Sequence, residues 1–312
     1  MRRCLQLAAC GQHNAKPNPM VGAVVVSSDG RIIGEGYHVR CGQGHAEVNA
    51  FASVREEDEP LLKESTLYVS LEPCSHYGKT PPCADLIVSK GVRRVVVGCI
   101  DPFAKVSGRG IRKLRSAGID VTVGVLEQEC LKLNRRFIVS NTRQRPFVTL
   151  KWAQSLDGFI DRDFRPVRFS TDFTAMLAHK LRAEADAILV GRTTDEREHP
   201  QLNVRHWAGN DPLRLVLDSR RPIFPGLDFS GNVVEQVLRW LHEQQCQWLI
   251  VEGGRQTLQS FLDAGAWDEL RVETAPCTVG SGTRAPELPK NISLASQQWF
   301  DGNTITLYHQ HS

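Results

Sequence analysis

A chain of 312 residues is long for a single compact core and suits two domains of ordinary size. Its 41% hydrophobic and 23% charged content is that of a globular protein, and a net charge of +3, with basic residues gathered only in pairs such as Arg93-Arg94, Arg135-Arg136 and Arg220-Arg221, excludes the concentrated basic face of a nucleic-acid binder. No apolar run reaches bilayer length, polar residues (Gln6, Gln12, His13) interrupt any signal-peptide core, and nine scattered cysteines favour buried thiols and a metal site over a disulfide framework, so no membrane partner and a cytoplasmic location are expected.

The first half alternates short strands and helices. A helix is expected over residues 2–10, strands over 23–26 and 31–34, and a helix over 45–54. A strand over 67–71 follows, then, past a proline-rich loop, a helix over 84–90, a strand over 94–98, a helix over 110–117 and a strand over 120–123. Val/Ile-rich runs separated by helical patterns predict a sheet covered by helices on both faces. Leu126, Cys130, Leu133 and Phe137 recur at helical spacing and predict one amphipathic helix.

The polar stretch 141–146 ends in Pro146 and marks a boundary, giving domains 1–144 and 145–312. A second α/β series is expected beyond it. Its strands are placed at 147–152, 187–191, 213–218, 248–252, 269–274 and 304–308, and its helices at 172–184, 232–244 and 256–264.

Three pieces of the first half carry chemistry. His45-Ala46-Glu47 opens a helix after the turn Gly42-Gln43-Gly44, Leu71-Glu72-Pro73-Cys74 ends a strand, and Cys83 begins the next helix after Pro81-Pro82. One imidazole and two thiolates make three zinc ligands and leave a fourth tetrahedral position for water, the mark of a catalytic site. The helix N-terminus is expected to favour Cys83 as thiolate. Residues i and i+2 do not share a helix face, so Glu47 is expected to serve the water as acid and base rather than the metal as a ligand. H-x-E followed by P-C and a later Cys is the pattern of zinc base deaminases. A closed structural zinc would need a fourth ligand, for which His76 is the nearby candidate.

These residues also carry a resemblance. Pro17-Asn18-Pro19-Met20-Val21-Gly22, Gly34-Glu35-Gly36-Tyr37-His38, His45-Ala46-Glu47-Val48, the run Leu71 to Cys83, and Asp101-Pro102 with Gly108-Arg109-Gly110 closely resemble the bifunctional riboflavin-biosynthesis deaminase/reductase family. The eight-residue spacer between Cys74 and Cys83 is similar to that family and unlike the two-residue spacer of tRNA, cytidine and polynucleotide deaminases. The resemblance implies a cytidine-deaminase-like three-layer α/β/α domain. It would hydrolyse the 2-amino group of a diaminopyrimidinone ribosylamino 5′-phosphate, with Zn2+ on His45, Cys74 and Cys83, Glu47 as the catalytic group, and Asn18, His38, His76, Lys79 and Asp101 lining the substrate pocket. Phe103 stands where the family often has Asn.

In the second half, Gly280-Ser281-Gly282-Thr283-Arg284-Ala285 fits a dinucleotide fingerprint on paper, but Pro286 and Pro289 rule out the required helix. Val251-Glu252-Gly253-Gly254-Arg255-Gln256-Thr257 is the better anion site, a strand running through two glycines into a helix. Phe147 to Trp152 with Ser155-Leu156-Asp157-Gly158, and the later runs 181–183, 188–191, 200–205, 216–219 and 251–254, resemble the family's dihydrofolate-reductase-like α/β domain in order. The resemblance implies NADPH contacts from Gln154, Thr194, Glu198, Ser219, Gly254, Arg255, Gln256, Thr257, Leu258, Gln259 and Ser260. It implies substrate contacts from Lys151, Thr171, Arg182, Leu202, Arg205 and Glu252, with Lys151 and Glu198 both placed to assist hydride delivery to C1′ of the opened ribose. Glu198-His199-Pro200 stands where Asp-Asn-Pro or Asp-Asp-Pro is usual, and Val167-Arg168-Phe169 where a Ser and a Trp are common. Only about a dozen residues connect Ser219 to the helix near Asn232, where the family normally spends several tens including another strand.

The expected function is two-step: deamination of the phosphoribosyl pyrimidine, then NADPH-dependent reduction of ribosyl to ribityl. The competing readings are a deaminase with a non-reducing second domain, a tRNA-type base editor, and a non-enzymatic zinc module. The expected partner is the small-molecule substrate, with self-association of the chain left open.

Overall fold

The computed structural model describes residues 1–77, 81–101 and 107–310. It divides into two compact units, Met1–Arg143 and Gln144–Ser312.

In the first unit the order is α1 (Arg2–Ala9), β1 (Gly22–Val26), β2 (Ile32–Tyr37), α2 (Ala46–Ala52), a 3-10 turn (Glu56–Glu64), β3 (Thr66–Leu71), α3 (Cys83–Lys90), β4 (Arg94–Cys99), α4 (Arg109–Ser116), β5 (Asp120–Val123), α5 (Glu127–Leu133) and α6 (Arg135–Arg143). The sheet runs β2-β1-β3-β4-β5, with β1 antiparallel to both neighbours and β3, β4 and β5 parallel. β1 and β4 are almost wholly buried, which is why their apolar residues run without alternation. Ala46, Ala50 and Phe51 of α2, Ile87 of α3, and Ile111 and Leu114 of α4 close one face over Val25, Val69 and Val97. α1 and α5 lie against the sheet elsewhere, around Leu71, Cys99 and Cys130.

The single helix expected from Leu126 to Phe137 is two. The break falls at Asn134, whose side chain accepts from Met20 N–H at 2.8 Å and donates to Met20 C=O at 2.9 Å. A tertiary contact 114 residues away thus overrides the local apolar period. α6 continues through Arg143, so the polar stretch expected as linker is helical in its first half.

The second unit comprises β6 (Phe147–Gln154), α7 (Asp172–Glu184), β7 (Ala187–Gly191), α8 (Arg192–Glu198), β8 (Leu213–Leu217), α9 (Val233–Glu243), β9 (Trp248–Glu252), α10 (Arg255–Asp263), β10 (Glu269–Thr274), β11 (Ile292–Phe300) and β12 (Asn303–Gln310). The sheet order is β11-β12-β10-β6-β9-β7-β8. The five strands from β10 to β8 are parallel, while β12 and β11 add an antiparallel margin. α9 and α10 bury Val237, Leu241, Leu258 and Phe261 on Leu150, Leu189, Leu249 and Val251. A bidentate pair, Arg145 to Asp268 at 2.6 and 2.9 Å, ties the entry of β6 to that of β10.

β11 and α8 were not expected from the sequence. β11 is a margin strand with Leu294 and Trp299 exposed at 61% and 72%, so burial leaves no two-residue apolar period in it. The short connection after β8 is a packed structure of its own. Ile223, Phe224 and Phe229 pack against the core, Leu227 is buried in it, and Phe224 stacks on Trp240 with ring centroids 5.3 Å apart.

Candidate active sites

In the first unit, β2 lets α2 come close. A Cβ on Gly34 would stand 2.5 Å from Ala50 O, and one on Gly36 would stand 2.3 Å from Ala50 N, so only glycine fits beneath the helix. The helix start, with His45 as N-cap and Glu47 in the first turn, follows from that seating. β3 ends at Leu71, three residues before Cys74, and α3 begins at Cys83. The first turn of α3 is tied to Cys74: Cys83 N–H donates to Cys74 Sγ at 3.3 Å and Ala84 N–H to Cys74 O at 3.1 Å. Two orphan amides of the helix start are satisfied this way.

The ligand atoms of His45, Cys74 and Cys83 lie within 4.8 Å of one another. His45 Nδ1 is 3.6 Å from Cys74 Sγ and 3.3 Å from Cys83 Sγ. Nitrogen and sulfur ligands at ordinary zinc distances, set at tetrahedral angles, stand about 3.6 Å apart. The donor set and its spacing therefore fit zinc.

The two thiols hydrogen-bond to each other and are pushed in opposite directions. Hydrogen bonding from Cys83, and behind it from His45, draws the Cys74 thiol down to about 4, while the hydrogen bond with Cys74 and burial hold Cys83 up. The helix start was expected to favour Cys83 as thiolate; the first amide of that helix points at the sulfur of Cys74. Glu47 is buried at 3% exposure, and burial raises its affinity for a proton.

His38 is buried beside His45, edge to face at 5.4 Å between ring centroids. Its Nδ1 lies 3.2 Å from Gly44 O and its Nε2 3.1 Å from Asn18 Nδ2. The carbonyl accepts only, so Nδ1 carries the proton and Nε2 accepts from the Asn18 amide. Burial lowers the His38 pKa and agrees with this neutral form. Asn49 donates to Tyr37 O at 2.8 Å and Gly44 O at 3.2 Å, fixing the turn that leads into His45. Asp101 leaves β4 at the same sheet edge at which Cys74 leaves β3, and His76 is exposed beyond Cys74. Lys79 and Phe103 lie outside the described residues.

In the second unit the parallel strands β6, β9, β7 and β8 end along one edge, the position where open α/β sheets take ligands. Lys151, Glu252 and Thr194 gather there with Gly254, and Ser219 turns at the end of β8. Glu252 is buried and receives Arg182 through Nη2 at 2.7 Å and Nε at 3.4 Å, with Lys151 Nζ at 3.9 Å. Burial alone would raise its pKa; Lys151 and Arg182 outweigh that and lower it. Glu198 ends α8 with its residue exposed to solvent; partial desolvation and then Asp161 shift it the other way, upward, against Arg197 and Lys151.

Gly253 and Gly254 have φ of +81° and +66°, and added Cβ atoms would meet Thr194 at 2.8 and 3.0 Å. A Cβ at Gly191 would lie 2.2 Å from Thr257 Oγ1. Glycine here lets Thr194 and Thr257 pack against the turn that starts a nine-residue helix, and the free amides of such a start suit an anion such as a dinucleotide phosphate. Arg255, by contrast, is engaged with Glu287 at 3.1 Å, and Gln259 with Asp263 at 2.8 Å. Leu258 is fully buried in the core and Ser260 donates to Thr257 O, so these two side chains face the protein, while Gln256 is exposed in the first turn of α10.

Gln154 ends β6 and accepts from Trp152 Nε1 at 2.8 Å, and Thr171 caps α7 by accepting from Thr174 N–H at 3.2 Å. Leu202 is buried with φ of +54°, and Arg205 is exposed, its guanidinium on Asn203 Oδ1 at 2.6 Å and on Gln201. Two residues escaped the sequence reading. His179, in the middle of α7, accepts the Arg205 N–H at 3.1 Å, and Glu72 binds a set of backbone amides at the end of β3. A buried His in α7 and an acid at the end of an apolar strand were the available signals.

The chain thus joins a unit with the donor set of a zinc-type deaminase to an α/β unit with a strand–Gly-Gly–helix turn at the ligand-binding edge of its sheet. Residues 1–99 match the family model of the cytidine and deoxycytidylate deaminase zinc-binding region, and residues 146–301 match that of the RibD C-terminal domain. The riboflavin biosynthesis protein RibD of Aquifex aeolicus is 38% identical, over 92% of this chain and 89% of its own length. That of Haemophilus influenzae is 35% identical over 98% and 93%. A crystal structure of a diaminohydroxyphosphoribosylaminopyrimidine deaminase/5-amino-6-(5-phosphoribosylamino)uracil reductase from Thermotoga maritima superposes with a TM-score of 0.90 at 35% identity, covering 100% of this chain and 97% of that one. The chain belongs to the RibD family of riboflavin biosynthesis proteins, and is a bifunctional deaminase and reductase. The alignment to the Haemophilus influenzae protein runs over 351 positions against 312 residues here, so that relative carries residues this chain lacks.

Proposed function

We propose that residues 1–144 deaminate 2,5-diamino-6-(5-phosphoribosylamino)pyrimidin-4(3H)-one and that residues 145–312 then reduce the ribosyl group to ribityl phosphate with NADPH. The observation that carries this reading is the convergence of His45 Nδ1, Cys74 Sγ and Cys83 Sγ beside the buried Glu47. Zinc on these three ligands supplies the Lewis acidity that lets water ionise near neutral pH. Glu47 takes the proton of the attacking water, held readily because its carboxyl is buried, and returns protons to the ring nitrogen and the departing amine. The C2–N bond breaks, ammonia leaves, and a carbonyl remains. His38, fixed as a neutral ring by Gly44 and Asn18, is assigned to the pyrimidine edge with Asn18, Asp101, His76 and Lys79.

In the second unit, Thr194, Gly254 and Thr257 would hold NADPH, which would supply the hydride for C1′ of the opened ribose. Arg182 and Lys151, oriented by Glu252, hold the anionic substrate, and Arg205 is a second guanidinium for its phosphate. Glu198, exposed at the end of α8 on the same side of the unit, is assigned the accompanying proton.

The test uses the full-length chain with zinc. Ammonia release from the diaminopyrimidinone and NADPH oxidation with the deaminated product are each measured alone. Both are expected; ammonia release without NADPH oxidation would leave a deaminase with a non-reducing second unit.

A further inference from the structure

Glu72 directly follows the last residue of β3, two positions before Cys74, and is buried at 6% exposure. Its carboxylate collects backbone amides. Oε2 accepts from Asp101 N–H at 3.3 Å and Gly108 N–H at 2.8 Å, and Oε1 from Gly110 N–H at 2.9 Å and Ile111 N–H at 3.4 Å. The donors are the residue that leaves β4 and the first turn of α4, a helix whose N-cap is Gly108 and has no side chain to cap with. A carboxylate at a helix start satisfies orphan amides and meets the positive end of the helix dipole.

The same junction is closed from a second side. A Cβ on Gly110 would stand 2.0 Å from Pro73 O, so α4 rests on the peptide between Glu72 and Cys74. Because β3 and β4 are parallel, with Leu71 beside Cys99 and Glu72 N–H on Cys99 O at 3.0 Å, Asp101 and Cys74 emerge at one sheet edge. Asp101 and the first turn of α4, both held by Glu72, therefore stand beside the strand end that leads to Cys74.

We propose that Glu72 is a positioning residue for deamination. Its carboxylate holds Asp101 and the first turn of α4 against the strand end that carries Cys74, and touches neither substrate nor metal. The inference rests on the deaminase reading of the first unit. A segment that binds ground state and transition state alike acts on KM, whereas support of the metal or of the fold alone would act on zinc content.

The experiment takes full-length Glu72→Gln and Glu72→Asp through zinc analysis, ammonia release at varied substrate concentration, and reductase activity of the same chain as an internal reference. Glu72→Gln keeps the contour but turns an amide N–H toward other N–H groups. It is expected to keep one zinc per chain and full reductase activity, with the deaminase KM raised roughly tenfold or more and kcat lowered by less. Glu72→Asp keeps the charge at shorter reach and is expected to fall between Gln and wild type. A KM within about twofold of wild type in both variants overturns the proposal, and so does loss of zinc in both. Should Glu72→Gln alone lose zinc, Glu72→Asp decides by the same two criteria. A wild-type chain that releases no ammonia overturns the deaminase reading instead.

Discussion

The amide of Cys83 donates to the sulfur of Cys74 across 3.3 Å, so one metal ligand caps the helix that begins with the other. The spacing of the two sulfurs is set by a strand end and a helix start, and the eight residues between them need only reach. Cys83→Ser is therefore expected to lose zinc, and with it deamination, while the reductase activity of the same chain stays within about twofold of wild type. Zinc analysis alongside both activities checks this; retention of stoichiometric zinc would count against the three-ligand site.

Glu47 is separable from the metal. Glu47→Gln is expected to keep one zinc per chain and to lower deamination by about 10²–10⁴-fold, the usual worth of a positioned acid and base. Steady-state ammonia release measures it, and a loss smaller than tenfold would assign the proton transfers elsewhere.

Glu252 is the hub of the second unit. Glu252→Ala leaves Arg182 and Lys151 without their buried counter-charge, a change that costs about 3–5 kcal/mol. A lower thermal midpoint, together with loss of NADPH oxidation and intact ammonia release, is the expected result. A variant with wild-type reduction would remove the Arg182–Glu252 pair from the site.

The Gly253-Gly254 turn makes its own prediction. Gly254→Ala puts a Cβ 3.0 Å from Thr194 Oγ1 at a positive φ, a strain of about 1–3 kcal/mol. It is expected to raise KM for NADPH by roughly tenfold or more without changing ammonia release. Unchanged NADPH saturation would place the dinucleotide elsewhere.

His179 gives the unit an acid-sensitive clamp. Burial, then Arg182, Arg205 and His206, lower its pKa below the ordinary 6.5, while the Asn203 backbone opposes them. Protonation therefore favours the unfolded chain: the stability it confers is complete above 6.5 and falls as pH drops below that value. Thermal melts at neutral and mildly acid pH should show a smaller acid loss for His179→Gln than for wild type. Equal losses would show that this ring does not titrate on unfolding.

The metal site was legible because its residues are chemically distinctive and sit at element ends: His45 before a helix, Cys74 after a strand, Cys83 at a helix start. Apolar strands such as β1 and β9 announced themselves by composition. What stayed hidden depends on partners far along the chain. Asn134 breaks a helix by binding Met20, Glu72 finds its donors 29 to 39 residues later, and His179 serves a backbone amide 26 residues on. β11 pairs along its length with β12 but shows no alternating pattern, because little of it is buried. A helix start predicts where amides are, not which sulfur they face, so the bond from the Cys83 amide to Cys74 was not legible either.

The central claim is that two chemistries run in sequence on one chain. One reaction supplied with the diaminopyrimidinone phosphate and NADPH, with ammonia and NADPH followed together, tests it most directly. Ammonia should rise first, NADPH should fall after a lag, and the two should finish in equal amounts. NADPH oxidation that precedes or exceeds ammonia release, or ammonia release with no oxidation at all, would contradict it.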